Sequence, residues 1–242
     1  MKLVLCQLYP EHLSIYADRG NVIVLTRRCE WRGIECELRA LRVGEELDPE
    51  EADLYLIGGG QDRDQELIAP DLQRHRSSLH RAVELGAAVL AVCGGYQLAG
   101  HRYLGHTGAE IPGIGLLDLE TLAGERRMIG NILCEAEIDG EHRSIVGFEN
   151  HAGRTILAPG QAHLARVVSG NGNDGVSGLE GARTGRVVGT YVHGPLLPKN
   201  PWLADWLIAQ ALERRYGPIE LEPIDDRLEL RARELASHLA RG

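Results

Sequence analysis

Apolar runs of strand length alternate with amphipathic stretches over the first hundred residues, and glycine marks nearly every change of texture. Lys2 to Leu8 reads as a first strand. Asn21 to Trp31 has helical spacing, with Val22, Ile23, Leu25 and Thr26 on one apolar face and Gly33 as its stop. Ile34 to Leu41 predicts a second strand, and Asp53 to Ile57 a third that runs into Gly58-Gly59-Gly60. Asp64 to Leu85 predicts a long helix interrupted at Ala69-Pro70 and ended by Gly86, after which Ala87 to Val92 returns to strand. Strands alternating with helices in this way predict an α/β fold with a parallel sheet covered on both faces.

Beyond Gly105 the pattern changes. Gly113, Gly115, Gly124 and Gly130 divide short apolar pieces, which predicts antiparallel strands and hairpins, and Asn171-Gly172-Asn173-Asp174-Gly175 is a turn. Val187 to Val192 is a strand that delivers His193. Pro201 opens a helix from Trp202 to Tyr216. A closing helix spans Asp226 to Leu239, with Leu228, Ala232, Leu235 and Leu239 on one face, and that face is expected to pack on the protein's own core. No repeat, linker or low-complexity tract interrupts the chain. One domain over residues 1–242 is predicted, with a core of about 2–206 and C-terminal helices over about 201–240.

Composition adds exclusions. The 242 residues are 43% hydrophobic and 25% charged, ordinary for a globular protein, and the net charge of −9 is spread over the chain without the basic cluster that nucleic-acid binding needs. No apolar run reaches the length of a membrane span. The five cysteines, at 6, 29, 36, 93 and 134, include no CxxC pair, so no metal site is expected. Their odd number, and a strand-like rather than signal-like Met1-Lys2-Leu3-Val4-Leu5, predict a reducing cytoplasm.

The candidate chemistry lies at three glycine-marked strand ends: Gly58-Gly59-Gly60, Cys93-Gly94-Gly95 and His193-Gly194-Pro195. A cysteine at a strand end is by default an inert core residue. Here an apolar strand stops at Cys93, two glycines follow, and a helix can begin at once, which is the pattern of a nucleophile elbow. A thiol at a helix N-terminus is favoured as thiolate. His193 is the candidate base that takes and returns the thiol proton. Acyl transfer also needs backbone N–H groups for the developing oxyanion, for which Gly59, Gly60 and Gly94 are candidates. Neither G-x-G-x-x-G opening a helix nor G-x-x-x-x-G-K-[ST] occurs, so no nucleotide phosphate cradle is expected in this chain.

Three segments together resemble one family: Cys93-Gly94-Gly95-Tyr96-Gln97, Gly147-Phe148-Glu149-Asn150-His151-Ala152-Gly153-Arg154 and Gly189-Thr190-Tyr191-Val192-His193-Gly194-Pro195. They look like a class I glutamine amidotransferase of the cobyric-acid-synthase-like branch. Tyr16-Ala17-Asp18-Arg19-Gly20-Asn21, Glu30-Trp31-Arg32-Gly33 and Gly58-Gly59-Gly60-Gln61-Asp62 narrow the likeness to glutaminase subunits of lipid II isoglutaminyl synthases. The resemblance runs from about Lys2 to Trp206. It implies a class I glutamine amidotransferase-like α/β domain, with Cys93 as nucleophile toward L-glutamine and His193 as base. It implies that Arg127, in Glu125-Arg126-Arg127-Met128, recognises substrate, with Arg126 as the neighbouring candidate, and that Gln97 holds substrate or shapes the pocket. Where many relatives carry His-x-Glu to orient the imidazole, this chain has Pro195. The orienting group is then a backbone carbonyl or another carboxylate, Glu149 among the candidates. The resemblance also implies a heterodimer with a Mur-ligase-like subunit that binds ATP and Mg²⁺ and amidates the D-glutamate of the lipid II stem peptide. Corrinoid side-chain amidation is the alternative. A cysteine peptidase or γ-glutamyl hydrolase would favour an intact His-x-Glu, and a binding scaffold would have no need of the nucleophile.

Overall fold

The computed structural model describes residues 1–14, 19–105 and 108–241. The chain runs β1 (Lys2–Leu8), α1 (Arg19–Glu30), β2 (Glu35–Leu41), β3 (Leu54–Ile57), α2 (Asp62–Arg74), α3 (Arg76–Glu84), β4 (Ala88–Val92), α4 (Gly94–Ala99), β5 (Arg102–Leu104) and β6 (Glu110–Pro112). It continues through β7 (Leu119–Ile138), β8 (Glu141–Leu157), β9 (Ala165–Ser169), β10 (Leu179–Glu180), β11 (Ala182–Thr184), β12 (Val187–Thr190), α5 (Leu196–Lys199), α6 (Pro201–Tyr216) and α7 (Arg227–Arg241).

Two six-stranded sheets result. The first has the order β11-β12-β4-β3-β1-β2 and is parallel except for β11. Its central strands, Leu54–Ile57 and Ala88–Val92, are buried at every position, as a sheet covered on both faces requires. Helix α6 packs on β1, β3 and β4, and α1 lies against α5 and α6. The second sheet has the order β10-β9-β7-β5-β6, with β8 paired to β7. The fold class is thus the expected one: a mainly parallel central sheet flanked by helices, with an antiparallel extension. Among the described residues no helix is long and apolar enough to cross a membrane.

Four local expectations are corrected. The predicted helix from Asp64 to Leu85 is two helices that break at His75, while Ala69 and Pro70 lie inside α2. His75 is buried, and its Nε2 lies 3.5 Å from the Asp71 carboxylate one turn back, so the break sits where a polar side chain turns inward. In α1 the buried side is Asn21, Val22, Leu25, Arg28 and Cys29, and Ile23 faces outward at 50% exposure. The short pieces beyond Gly113 are in fact one long hairpin, β7–β8, because Gly124 and Gly130 sit within β7 rather than in turns. Finally, Leu228, Ala232, Leu235 and Leu239 of α7 are exposed; the helix packs on β7 and β8 through Ala236 and Ala240, against Leu133 and Val146. Tyr16, Ala17 and Asp18 of the N-terminal motif lie outside the described residues.

One buried cation ties the helical layer together. Arg28 is 1% exposed and forks onto two carboxylates, Asp205 of α6 at 2.6 and 2.6 Å and Asp226 before α7 at 2.6 and 2.9 Å. Arg32 adds a bond to Asp205 at 2.8 Å. Removing one member of such a cluster strands the others in a poorly solvated place. Arg28→Met is expected to destabilise the fold by about 3 kcal/mol in urea denaturation, whereas Arg27→Met, whose partner Glu30 is at the surface, changes stability by less than about 1 kcal/mol.

Candidate active site

The three glycine-marked turns end neighbouring parallel strands. Ile57 of β3 pairs with Ala91 of β4, and Thr190 of β12 pairs with Val92. Gly58, Cys93 and the Tyr191–His193 segment therefore leave one edge of the sheet side by side, where sites of parallel α/β sheets form. The Cys93 N–H donates to the Thr190 carbonyl at 2.8 Å, which locks the cysteine backbone to the segment that carries His193.

Cys93 has φ 54 and ψ −108, a left-handed conformation that costs energy for any residue with a Cβ. The glycines after it make this turn possible. A Cβ on Gly94 would meet the Gly60 nitrogen and oxygen at 2.8 Å, and one on Gly95 would collide with the Ile57 carbonyl. The Gly95 N–H donates to the Gly58 carbonyl at 3.0 Å. The elbow is thereby pressed against the Gly58–Gly60 loop, and the backbones of Gly60 and Gly94 stand beside Cys93.

A cavity of about 580 Å³ opens at this place, within the size range of small-molecule sites. Cys93, Gly60, Gln97 and Arg127 all line it. Gly59, Gly94 and Arg126 are not in its wall. Arg127 comes from a register shift between Ala123 and Met128 in the β7–β8 ladder; a bulge of this kind re-aims side chains. Its Nε and Nη2 donate to the Asn150 side chain and carbonyl at 3.0 and 3.2 Å. The acids Asp62 and Glu125 line the same cavity, so both signs of charge face it.

Gln97 is held on both sides. Its carbonyl accepts from Gln65 Nε2 at 2.9 Å, its amide donates to the Tyr191 hydroxyl at 3.2 Å, and Gln65 Nε2 also reaches the Gly60 carbonyl at 3.3 Å. Tyr191 is bonded in turn to Thr155 at 2.8 Å, so one buried chain links the glycine loop, the elbow helix and β8.

His193 is 1% exposed and lies behind the cavity wall rather than in it. Burial lowers its pKa to about 4, with the neighbouring His151 and Lys199 acting in the same direction and Glu149 opposing, so the imidazole is neutral at pH 7. Its backbone pairs with Phe148 through two bonds of 3.0 and 2.9 Å, which joins β8 to the edge where β4 and β12 end.

His151 is in the cavity wall and was not singled out from sequence. Its ring stacks on Tyr191 at 3.5 Å and 4°, and its Nδ1–H donates to the Gly153 carbonyl at 2.9 Å. Burial lowers its pKa against the pull of Glu149, whose carboxylate is 3.9 Å from Nε2. Glu149 is fully buried and accepts from Asn171 at 2.7 Å and Gly172 at 2.9 Å; burial pushes its pKa up, but His151 and these amides outweigh it and hold the carboxyl below its ordinary value. Asn150 and His151 line the cavity with Glu149 behind His151, and three consecutive polar residues within a half-buried strand are the signal that would have found them. Gln65, buried in the first turn of α2, has no such sequence signal.

A sequence profile of the CobB/CobQ-like glutamine amidotransferase domain matches residues 4–201. The chain is 37% identical over 234 residues, 97% of its length and 94% of the relative's, to the lipid II isoglutaminyl synthase (glutamine-hydrolyzing) subunit GatD of Staphylococcus aureus. It is 36% identical over 227 residues, 93% and 86% of the two chains, to the subunit of the same name from Streptococcus pneumoniae. The solved structure of PurLQS from Thermotoga maritima shares the fold, with a TM-score of 0.57 at 17% identity over 88% of this chain and 96% of that one.

One buried carboxyl gives the site a pH signature. Glu180 on β10 accepts from the Thr190 hydroxyl at 2.6 Å and the Tyr191 N–H at 2.8 Å, and burial raises its pKa to about 7. An unfolded glutamate titrates near about 4.3, so between that value and 7 the folded state binds more protons and stability falls as pH rises. Glu180→Gln keeps the acceptor oxygen and removes the titration. Its melting temperature relative to wild type is expected to be higher at pH 8 than at pH 5, measured by thermal denaturation at both values.

Proposed function

The chain belongs to the CobB/CobQ-like glutamine amidotransferase family, and from that premise we propose that it is the glutamine-hydrolysing subunit of a lipid II isoglutaminyl synthase. The near full-length likeness to two such subunits supports this over corrinoid amidation. What supports the chemistry is that Cys93, in its strained turn, lines one cavity with Gly60 and Arg127, while the segment carrying neutral His193 leaves the sheet beside it.

In this reading L-glutamine enters the cavity with its α-carboxylate on Arg127, a guanidinium suited to bind both oxygens. The acids Asp62 and Glu125 suit its α-ammonium. Cys93 Sγ attacks the side-chain amide carbon, with its proton passing to His193. The oxyanion meets the N–H groups of Gly60 and Gly94, Gly59 supporting the loop. The proton returns to the leaving nitrogen as the C–N bond breaks, giving ammonia and a glutamyl thioester. Water then adds to the thioester, with His193 again as base, and releases glutamate and the thiol. Gln97 shapes the pocket through its bonds to Gln65 and Tyr191.

The ammonia serves a Mur-ligase-like partner in a cytoplasmic heterodimer. That subunit, with ATP and Mg²⁺, activates the α-carboxyl of D-glutamate in the lipid II stem peptide, and ammonia displaces phosphate to give D-isoglutamine. This chain needs no cofactor of its own for the hydrolysis.

Purified protein is expected to release glutamate from glutamine. Cys93→Ser should lower that rate at least ~10³-fold. Arg127→Lys, which loses the forked geometry, should raise KM roughly 10-fold with kcat changed less. Co-expression with the Mur-ligase-like subunit, followed by mass analysis of muropeptides, should show an amide in place of the D-glutamate acid. Glutamine-dependent amidation that persists in Cys93→Ser would refute the assignment.

A further inference from the structure

The apolar row of α7 faces outward, and this is not a consequence of a loose helix. The opposite face is fixed: Ala236 and Ala240 pack on Leu133 and Val146, Arg233 Nη2 donates to the Ser144 carbonyl at 2.7 Å, and Ser169 Oγ donates to the Ala240 carbonyl at 2.5 Å. Asp226, just before the helix, is gripped by buried Arg28. The helix is therefore presented in one orientation, with Leu228, Leu235 and Leu239 at 80%, 60% and 71% exposure. With Ala232 their spacing is four, three and four, the seam that a second helix packs against.

The seam leads to the active-site mouth. The Leu239 carbonyl accepts from the Asn131 side chain at 3.4 Å. Ile129, two residues earlier on the same strand face, is 57% exposed and pairs with Asn150. Asn150 is the residue that Arg127 grips, and both line the cavity with Cys93. Asn131, Ile129 and Asn150 thus form one line of residues from α7 to the cavity that Cys93 lines, with Ile129 as its exposed apolar member.

Three occupants differ in what they require. A membrane surface calls for a wide apolar face without acids, whereas Glu229 and Glu234 stand between this row and the remaining exposed leucine of the helix, Leu230. A second copy joined along two heptads alone would bury less than the roughly 1,200 Å² of a stable interface. It would also set two glutaminase mouths beside each other with no acceptor between them. A subunit that consumes ammonia must cover the mouth, and the line from α7 to Ile129 offers it a seat. Of its four arginines Arg233 packs inward on Ser144 and Arg227 pairs with Asp225, which leaves Arg231 and Arg241 of the helix exposed on a chain whose net charge is −9. Its complement is an apolar helix with acidic flanks.

Resting on the function argued above, we propose that Leu228, Ala232, Leu235 and Leu239 of α7, continued by Ile129, form the seat of the ATP-dependent acceptor subunit. That subunit docks a helix with an apolar heptad row and acidic flanks. The test is titration of the purified Mur-ligase-like subunit from the same genome against wild type, the Leu235→Glu/Leu239→Glu double variant and Ile129→Asp, with glutamate release by each isolated chain measured alongside. The double variant should keep wild-type melting temperature and basal glutamate release but bind the subunit at least ~10-fold more weakly, and Ile129→Asp should also weaken it. Affinity unchanged within twofold in both variants overturns the seat and leaves the proposed function standing. So does a wild-type homodimer that the double variant converts to monomer, or wild-type binding to phosphatidylglycerol vesicles that the double variant loses while subunit affinity is kept. Failure of wild type itself to bind the subunit overturns the partner assignment, and the seat with it.

Discussion

The active-site edge depends on one close approach of main chain to main chain. The first turn of α4 lies so near the Ile57–Gly60 loop that residues 94 and 95 have no room for a Cβ. That approach holds Cys93 at positive φ, sets the Gly60 and Gly94 backbones beside it, and fixes the depth of the cavity floor. Local strain at a reactive residue persists only where the surroundings over-determine it. Here the surroundings are a buried strand on each side of β4 and a glutamine pair, Gln65 and Gln97, that bonds across the same gap.

Much of this was legible in the sequence because it is local. The glycine pairs after apolar strands announced the elbow and its loop, and the alternation of strands and helices announced the parallel sheet. Cys93, Gly60, Gln97 and Arg127 were read from short segments, and they do share one cavity. What escaped depends on long-range packing. His151 gains its place from β8 crossing to the end of β12 and from a stack on Tyr191, forty residues away in sequence. Asn200, fully buried, binds the Val146 carbonyl and the Leu196 carbonyl at 2.8 Å each and looks in sequence like an ordinary helix start.

The reversal of α7 has a similar origin. Periodicity says that one face of a helix is apolar, not which surface that face meets. The side that packs inward uses alanines because the helix lies close on the hairpin, and small residues allow that approach. A leucine row was the stronger signal in the sequence, but its role is set by what remains uncovered after the alanines have packed. The break at His75 likewise follows from an inward-turned polar side chain rather than from Pro70, whose ring is accommodated within α2.

The paired backbone bonds between Phe148 and His193 make the long hairpin and the parallel sheet a single mechanical piece at the point where the imidazole sits. The hairpin also supplies Arg127, Asn150 and His151. A load placed anywhere along it is felt at once by the groups that would grasp an amino acid and by the main chain of the histidine. In the proposed reaction, binding of the amino acid and proton transfer at the histidine are therefore coupled through this one strand pairing.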